Sequence, residues 1–400
     1  MAQQSYLNFN EINVDNKRVF LRLDLNVPLK DGKVLDDTRI RAALPTLKDL
    51  VDRGAKVIVS SHLGRPKTEE DRQKLSLEPV ADVLNQNGFE VLLMESPESD
   101  APMELAKGLN RRQIIMLENL RFAEGETKNS GELAAKWARY TDIYVNDAFG
   151  ASHRAHASID ALAKLIPTRA YGHLIEKELS SLEMIQKEPP TPFVLLTGGS
   201  KVSDKIVILE SLADKVDSVL IGGAMAYTFL KAQEIPVGGS LVEDDKISVA
   251  KAFLQRMEGA GKKVYLPVDH IVVNEFNDTE FEVTQGASIP GKQIAVDIGP
   301  KTQQLYAGVV KSAGSVFWNG PMGIYERPPF DQGSIAMAKA LAETEAVTVI
   351  GGGDSAAAAV DSGFADKMTH ISTGGGASLE FIQGVKLPGL EALKVRVVEA

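Results

Sequence analysis

The 400-residue chain contains no cysteine. This absence excludes disulfide bonds, thiolate catalysis and cysteine-based zinc sites, and it is typical of a reducing compartment. No apolar run approaches the roughly 18–20 residues that a membrane helix needs. The first residues, MAQQS, contain no basic segment followed by an apolar one, so no secretory signal is expected. These absences predict a cytoplasmic protein that does not enter a membrane.

Basic residues are outnumbered by acidic ones, so the formal net charge is −10. A chain with this excess of acidic residues is not expected to bind nucleic acid in general. Hydrophobic residues make up 44% of the chain and charged residues 24%, which is ordinary for a soluble globular protein. At this length two domains are expected rather than one.

Several familiar signatures of nucleotide-binding proteins and hydrolases are missing. The chain has neither a G-x-x-x-x-G-K-[ST] loop nor the H-R-D and D-F-G pair, which excludes P-loop and protein-kinase machinery. It has no G-x-G-x-x-G with an acidic residue about twenty positions later, which counts against a dinucleotide site. The absence of G-x-S-x-G counts against a serine hydrolase.

Arginine and glycine are divided unevenly along the chain. Thirteen of the sixteen arginines lie in residues 1–172, whereas twenty-five of the thirty-four glycines lie in residues 173–400. Arginine binds anions through its side chain, and glycine allows backbone amides to approach them closely. The division therefore predicts two different phosphate-bearing ligands, one in each half.

Short apolar runs alternate with helical segments throughout the chain. Most of these runs are continuously apolar, which is typical of strands buried on both faces of a parallel sheet. The predicted strands are residues 19–25, 56–60, 90–94, 114–117 and 143–145, then 192–196, 218–221, 263–266, 316–318, 347–350 and 370–372. Between the first two, residues 41–53 have helical periodicity. The pattern predicts an α/β protein with two doubly wound, Rossmann-like parallel-sheet domains.

A helix is predicted at the domain boundary, in residues 171–187. Its apolar positions fall on roughly one face, and Pro189 and Pro190 follow it. We expect this segment to connect the domains and to act as a hinge. The predicted division is a first domain of residues 1–172 and a second of 173–385, with residues 386–400 packing back on the first.

In the first half, polar and cationic residues follow four predicted strands. Ligands of open parallel sheets bind beyond the carboxyl ends of the strands, so these residues are expected to converge on one anion. They are Asp24, Asn26, His62, Arg65, Arg121, His153, Arg154 and His156, with Arg39 entering a helix. Each arginine alone is better interpreted as a surface salt bridge, and a pairing of Asp24 with Arg22 is an open alternative. The recurrence after four strands favours an anion site, and no carboxylate pattern accompanies the histidines to indicate a metal.

In the second half, glycine-rich turns follow five predicted strands. Turns of this kind aim backbone N–H groups and a helix dipole at phosphate. The turns contain GGSKVSDK (198–205), GGAMA (222–226), NGPMG (319–323), GGGDSA (351–356) and TGGGAS (373–378). Lys201 and Lys205, four residues apart, are expected on one helical face. Asp354 is interpreted either as a residue that holds nucleotide-bound Mg²⁺ or as a helix N-cap.

Six segments, found in order along the whole chain, resemble the phosphoglycerate kinase family. They are RVFLRLDLNVP (18–28), HLGRP (62–66), NDAFGASHRAH (146–156), GGSKVSDK (198–205), WNGPMG (318–323) and GGGDS (351–355). The resemblance implies reversible phosphoryl transfer between 1,3-bisphosphoglycerate and ADP, giving 3-phosphoglycerate and ATP with Mg²⁺. It also implies a monomer that acts on these small molecules alone.

The resemblance assigns roles to individual residues. The glycerate ligand would be held by Asp24, Asn26, Arg39, His62, Arg65, Arg121 and Arg154. The nucleotide and Mg²⁺ would be surrounded by Gly198, Gly199, Lys201, Lys205, Gly222, Gly223, Asn319, Pro321, Glu326, Gly351, Gly352, Gly353, Asp354 and Ser355. Transfer itself would involve Arg39, Lys201, Lys205, Gly374 and Gly375, with Gly376 supplying a further amide.

Two positions depart from the family's pattern. Ser200 stands where the family often has alanine, and Ala295 stands where a glycine often lines the adenine pocket, so contacts with adenine there are open. Two other functional classes remain as alternatives, namely an NAD-dependent oxidoreductase and a non-catalytic protein that binds phosphorylated metabolites.

Overall fold

The structure, a computed structural model that describes residues 4–396, divides into two compact units. The first unit contains the chain up to Ser180 and the segment that begins at Lys386, and the second is Ser181–Val385. The division therefore falls inside the helix predicted at the domain boundary. Residues 1–3 and 397–400, which belong to the predicted first domain, lie outside the described residues.

The first unit is built on a six-stranded parallel sheet, the first sheet. In chain order its elements are β1 (Gln4–Ser5), β2 (Arg18–Leu23), β3 (Leu29–Lys30), β4 (Lys33–Val34), α1 (Thr38–Asp52), β5 (Lys56–Ser60), α2 (Glu69–Lys74), α3 (Glu78–Gln86), β6 (Glu90–Leu93), α4 (Pro102–Gly108), β7 (Gln113–Met116), α5 (Glu124–Thr127), α6 (Gly131–Ala138), β8 (Ile143–Asp147), α7 (Leu162–Leu165), β9 (Thr168–Tyr171) and α8 (His173–Lys187). The strand order is β6-β7-β5-β2-β8-β9, and β3 and β4 form a separate hairpin.

Strand β2 shows how the first sheet separates two hydrophobic cores. Val19 and Leu21 pack with α1 and α3, whereas Phe20 packs on the other face in a cluster with Trp137 and Tyr144. Because side chains alternate along a strand, Arg22 is directed to the same face as Phe20 and is fully buried. The otherwise apolar interior part of β2 thus places the Arg22 guanidinium group in the core.

The second unit is built on another six-stranded parallel sheet, the second sheet. Its elements are β10 (Phe193–Thr197), α9 (Val202–Leu212), β11 (Ser218–Ile221), α10 (Met225–Ala232), α11 (Ile247–Gly259), β12 (Lys263–Tyr265), β13 (His270–Val273), β14 (Glu282–Val283), β15 (Ile294–Ile298), α12 (Pro300–Lys311), β16 (Ser315–Asn319), α13 (Gln332–Ala342), β17 (Val347–Gly351), α14 (Gly353–Asp361), β18 (His370–Ile371) and α15 (Gly376–Ile382). The strand order is β12-β11-β10-β16-β17-β18. The predicted fold class of two parallel-sheet α/β domains is confirmed.

The chain then returns to the first unit through α16 (Pro388–Glu391) and β19 (Val395–Arg396). Strand β19 pairs antiparallel with β1, and the Gly389 N–H donates to the Ser152 carbonyl at 2.8 Å. Within the described residues no helix combines the length and the apolar character needed to cross a membrane.

Some features of the fold were not predicted. The first sheet has a sixth strand, β9, so Tyr171 ends a strand and α8 begins two residues later, at His173. The second unit contains an additional antiparallel sheet, β14-β13-β15. Its two longer strands, β13 and β15, are mostly apolar and β-branched, a pattern typical of strands, but they do not alternate with helices as the predicted α/β pattern does.

Helix α12 begins beside a buried carboxylate. Asp269, only 1% exposed, accepts hydrogen bonds from the backbone N–H groups of Lys301 (2.9 Å) and Thr302 (2.8 Å) and from the Thr302 hydroxyl (2.7 Å). The carboxylate thereby satisfies N–H groups that the helix itself cannot pair.

Replacing Asp269 by alanine is expected to destabilise the second unit by about 3 kcal/mol, because several buried donors lose a charged acceptor. The two tryptophans lie in different units, so urea unfolding followed by Trp318 fluorescence in a Trp137→Phe background isolates the relevant transition. The exposed Asp366→Ala is the matched control and should leave the midpoint unchanged. An equal shift in both variants would contradict the capping role.

Candidate functional site

The predicted glycerate-binding residues lie at one edge of the first sheet. Strands β7, β5, β2 and β8 are adjacent and parallel, so their carboxyl ends meet there. Asp24 follows β2, His62 follows β5, Arg121 follows β7 and Arg154 follows β8. The four segments that were selected from the sequence are therefore neighbours in space.

Polar side chains connect the loop after β2 to helix α1 and to the loop after β5. Asp24 forms an ion pair with Arg39, in the first turn of α1, and not with Arg22. The Asn26 side-chain oxygen accepts a hydrogen bond from the Gly64 N–H at 2.8 Å, which joins the loop after β2 to the loop after β5. The alternative that Asp24 pairs with Arg22 is therefore wrong, because Arg22 points into the core.

Arg22, Arg65, Arg121 and Arg154 form a set of like charges that we call the arginine cluster. In the described part of the chain, the guanidinium groups of Arg65, Arg121 and Arg154 form no ion pair with an acidic side chain. Burial and the charges of Arg154, Arg22 and Arg65 lower the pKa of Arg121 to about 10. A positive site that is partly buried and lacks counter-ions is suited to an anion with several oxygens.

The same charges act on two histidines. Burial, together with Arg22, Arg121 and Arg154, holds the pKa of His62 well below its usual range and lowers that of His156 to about 4. Both imidazoles are therefore neutral near pH 7. They offer hydrogen bonds to a ligand without adding to the positive charge.

Arg22 is the residue of this site that sequence reasoning did not select. It is fully buried, and its guanidinium contacts Ser158 (Nε to Oγ, 2.9 Å) and His62 (Nη2 to Nδ1, 3.2 Å). Ser158 in turn contacts the buried carboxylate of Glu126. An arginine inside a continuously apolar strand was the available signal, since a charged residue is almost never fully buried without a partner.

In the second sheet, the five glycine-rich turns follow the adjacent strands β11, β10, β16, β17 and β18. Four of them precede helices α10, α9, α14 and α15, as expected. The turn after β16 does not, because the next helix, α13, begins only at Gln332. That longer loop contains Pro321 and Glu326.

Most of the glycine amides in the first three turns donate to carbonyl groups of neighbouring loops and strand ends. The N–H groups of Gly198, Gly199, Gly222 and Gly223 donate to the carbonyls of Asn319 (3.2 Å), Pro321 (3.0 Å), Thr197 (2.8 Å) and Met322 (2.8 Å). These amides therefore do not point freely at a phosphate, contrary to the expected mechanism. Glycine is needed at position 198 for another reason, since a Cβ atom there would lie 2.0 Å from the Pro321 carbonyl oxygen.

Lys205 and Asn319 form the polar centre of this site. The Lys205 ammonium group donates to the Asn319 side-chain oxygen, and the Asn319 amide donates to the Gly351 carbonyl at 2.7 Å. Burial lowers the pKa of Lys205, and the charge of Asp354 opposes this effect. Lys201 precedes α9 in extended conformation and is exposed, so the two lysines do not share a helical face.

Helix α14 has its amino terminus at this centre. Its N-cap is Gly352, with a φ of 94°, and Asp354 lies in the first turn, so the alternative of Asp354 as the N-cap is wrong. The Ser355 hydroxyl accepts a hydrogen bond from the Gly320 N–H at 2.6 Å. The unpaired N–H groups of a first helical turn, here beginning at Gly353, are suited to phosphate. At α15, Gly375 is the N-cap with a φ of 53°, directly after Gly374.

A cavity of about 530 Å³ adjoins these groups within the second unit. Among the predicted residues, Gly199, Pro321, Glu326 and Asp354 line it, as do Ser200 and Ala295. Sequence reasoning missed most of its apolar wall, which contains Tyr227, Leu241, Phe276, Ile294, Val296 and Ile324. Several of these residues belong to the antiparallel sheet or its connections, so the wall was missed together with the sheet.

No group of three or more metal-ligating side chains occurs within residues 4–396. Asp354, exposed and lining the cavity, is a single carboxylate that could share a cation with a bound phosphate chain.

Comparison with known proteins identifies relatives that match nearly the whole chain. A family model described as phosphoglycerate kinase matches residues 9–385. The chain is 54% identical to a phosphoglycerate kinase of Bdellovibrio bacteriovorus over 95% of each chain, and 49% identical to one of Clostridium botulinum over 97% of this chain and all of the other.

Solved structures show the same relationship. The fold is similar to a phosphoglycerate kinase of Coxiella burnetii, with a TM-score of 0.87, 38% identity and coverage of 97% and 98% of the two chains. It is also similar to the enzyme of Pyrococcus horikoshii, with a TM-score of 0.80, 32% identity and the same coverage. The chain belongs to the phosphoglycerate kinase family.

Proposed function

We propose that the protein catalyses reversible, Mg²⁺-dependent phosphoryl transfer from 1,3-bisphosphoglycerate to ADP, which yields 3-phosphoglycerate and ATP. The observation that carries the proposal is the arginine cluster at the carboxyl edge of the first sheet, in which Arg65, Arg121 and Arg154 form no ion pair with an acidic side chain of residues 4–396. A doubly charged phosphate and a carboxylate are anions that such a site would bind.

The glycerate ligand is assigned to the first unit. Its acidic groups would be bound by Arg65, Arg121 and Arg154 together with His62. Asp24 and Asn26 would lie near the ligand's hydroxyl group, and Arg39 would face the transferred phosphoryl group. Arg39 retains free donors for this role, because its contact with Asp24 uses one terminal nitrogen of the fork.

The nucleotide is assigned to the second unit. The cavity would take the base, with an apolar wall for its faces. The phosphates would extend toward Lys205, Lys201, Asn319 and the N–H groups of α14, and the amides at Gly374 and Gly375 would meet the transferred group. Gly198, Gly199, Gly222 and Gly223 would shape the loops rather than donate to phosphate. These assignments make residues 173–385 the nucleotide domain.

Asp354 is the residue that would hold Mg²⁺, together with oxygens of the nucleotide. A lone carboxylate fits this ion, because Mg²⁺ usually retains waters and phosphate oxygens and takes few ligands from the protein. When bound, the ion neutralises charge that develops on the phosphates.

The chemistry requires no general base. In the direction of ATP consumption, the group that attacks is a carboxylate, which is already ionised near pH 7. What the reaction needs is in-line placement of the reactants and stabilisation of charge on the transferred group. Cationic side chains and helix amides provide both. The hinge role of α8, the monomeric state and the cytoplasmic location stay predictions.

The proposal is tested by mixing the protein with 3-phosphoglycerate and Mg·ATP and measuring ADP formation in a coupled assay. We expect turnover that requires both substrates. An NAD-dependent oxidoreductase would bind NADH instead, and a non-catalytic binding protein would bind ligand without forming ADP. The comparisons support neither alternative.

Arg39→Ala is expected to lower kcat by about 10³-fold, because an arginine that stabilises the transferred phosphoryl group contributes a factor of this order. The KM for 3-phosphoglycerate should change far less. Arg41→Ala is the matched control, since Arg41 lies in the same helix, is 64% exposed and pairs with Asp37. Near-normal turnover of Arg39→Ala would remove Arg39 from the mechanism.

Binding of 3-phosphoglycerate is expected to raise the pKa of His156 above about 4. The free site depresses this value through burial and neighbouring cations, and a bound anion offsets the cations and so favours the protonated ring. NMR titration of His156 with and without ligand measures the shift. His270, whose pKa burial also lowers to about 4 in the second unit, is the internal control and should not respond. An unchanged His156 would place the ligand elsewhere.

A further inference from the structure

The contact between Arg22 and His62 determines which nitrogen of the imidazole carries the proton. The Arg22 Nη2 lies 3.2 Å from the His62 Nδ1. A guanidinium group has only donors and stays charged in proteins, so the imidazole must accept. Nδ1 can accept only without a proton, and a neutral ring then carries its proton on Nε2.

The Nε2 atom is available to a ligand. It has no hydrogen-bond partner within residues 4–396, and it is not fully buried, so solvent reaches it. The residue as a whole is only 6% exposed, so the remaining exposure is small and local.

Arg22 is itself held in one orientation. Its Nε donates to the Ser158 Oγ at 2.9 Å, and its Nη1 donates to the Leu23 carbonyl oxygen. The residue is fully buried, so water does not compete for these donors. Three nitrogens that each bind a different acceptor leave the planar group no freedom to rotate away from His62.

The direction of the Ser158 hydroxyl is fixed by Glu126. The hydroxyl donates to the Glu126 Oε1 at 2.6 Å, and the Ser158 N–H donates to the Oε2 at 2.9 Å. A hydroxyl group has one hydrogen, so once it donates to Glu126 it can only accept from Arg22. Glu126 and Ser158 are both fully buried, which makes the arrangement costly to break.

We propose that Glu126, Ser158 and Arg22 are positioning residues that lock His62 in the neutral form with its proton on Nε2, so that His62 meets the acidic ligand as a hydrogen-bond donor. The state of the ring follows from the contacts alone, whereas its use by the ligand rests on the proposed function. In the other neutral form, a lone pair on Nε2 would face an anionic oxygen and repel it.

The form of the ring can be measured directly in the intact protein without ligand. Two-dimensional ¹H–¹⁵N NMR at pH 7.5 separates protonated from unprotonated ring nitrogens, and His62→Gln identifies the signals. We expect an unprotonated Nδ1 and a protonated Nε2. A proton on Nδ1, or on both nitrogens, would overturn the proposal even if the protein is an active kinase.

Ser158→Ala removes the acceptor of Arg22 while leaving every ligand-contacting residue in place. We expect the His62 signals to shift toward a mixture of the two neutral forms. We also expect the KM for 3-phosphoglycerate to rise by about tenfold, the amount that corresponds to one hydrogen bond to a charged group. The KM for Mg·ATP should stay unchanged, and Ser158→Thr, which retains the hydroxyl, should restore both properties.

Ser152→Ala is the matched control. Ser152 is also a fully buried serine of the first unit, but its hydroxyl bonds to Asn146 (3.2 Å) and Ala148 (3.0 Å) rather than to Arg22 or Glu126. The His62 signals of the Ser152→Ala variant should match those of the wild type. Identical His62 signals in Ser158→Ala and the wild type would overturn the positioning role, whatever the activity assays show. If the signals shift as expected but no ADP forms in the wild type, the proposed function fails while the arrangement of the ring stands.

Discussion

Repulsion between like charges is the constraint on which the first unit depends. The arginine cluster gathers positive charge at one sheet edge, and most of it has no acidic partner in the described part of the chain. Such an arrangement weakens the free protein, because the cations repel one another and burial also disfavours the charges of Arg22 and Arg121. Under the proposed function a bound anion would supply the missing negative charge, and in its absence the surrounding fold has to hold the cluster together.

That support comes from buried residues in the core of the first unit. Glu126 is a fully buried carboxylate that bonds to Ser158, the acceptor of the Arg22 Nε, and its charge interacts with both Arg22 and Arg121. Burial raises the pKa of Glu126, whereas the charge of Arg22 and the hydrogen bonds from Ser158 oppose the rise. One cation is thus neutralised within the core, and the others remain available to an anion.

The second unit differs, because the proposed nucleotide would fit among loops rather than among charged side chains. Gly198 and Gly223 let three loops approach closely, and their amides bind those loops to one another. The groups that the proposed function assigns to phosphate are the Lys205 ammonium, which contacts Asn319, and the first turn of α14. The cavity wall comes from the antiparallel sheet, an addition to the α/β repeat that leaves the parallel sheet intact.

The sequence alone determined the two parallel sheets, since continuously apolar runs have few other ways to be buried, and it determined the strand ends that carry the functional residues. It also separated the guanidinium groups from the glycine turns. Only the tertiary structure decided which partners those groups find. Arg22 points into the core, Asp24 forms an ion pair with Arg39, and the glycine amides donate to neighbouring segments. The sequence does not reveal these contacts, because they join residues that are separated in the chain and they depend on strand order and side-chain direction. Local sequence patterns indicate periodicity and burial, but they do not indicate which segments are neighbours in the folded protein.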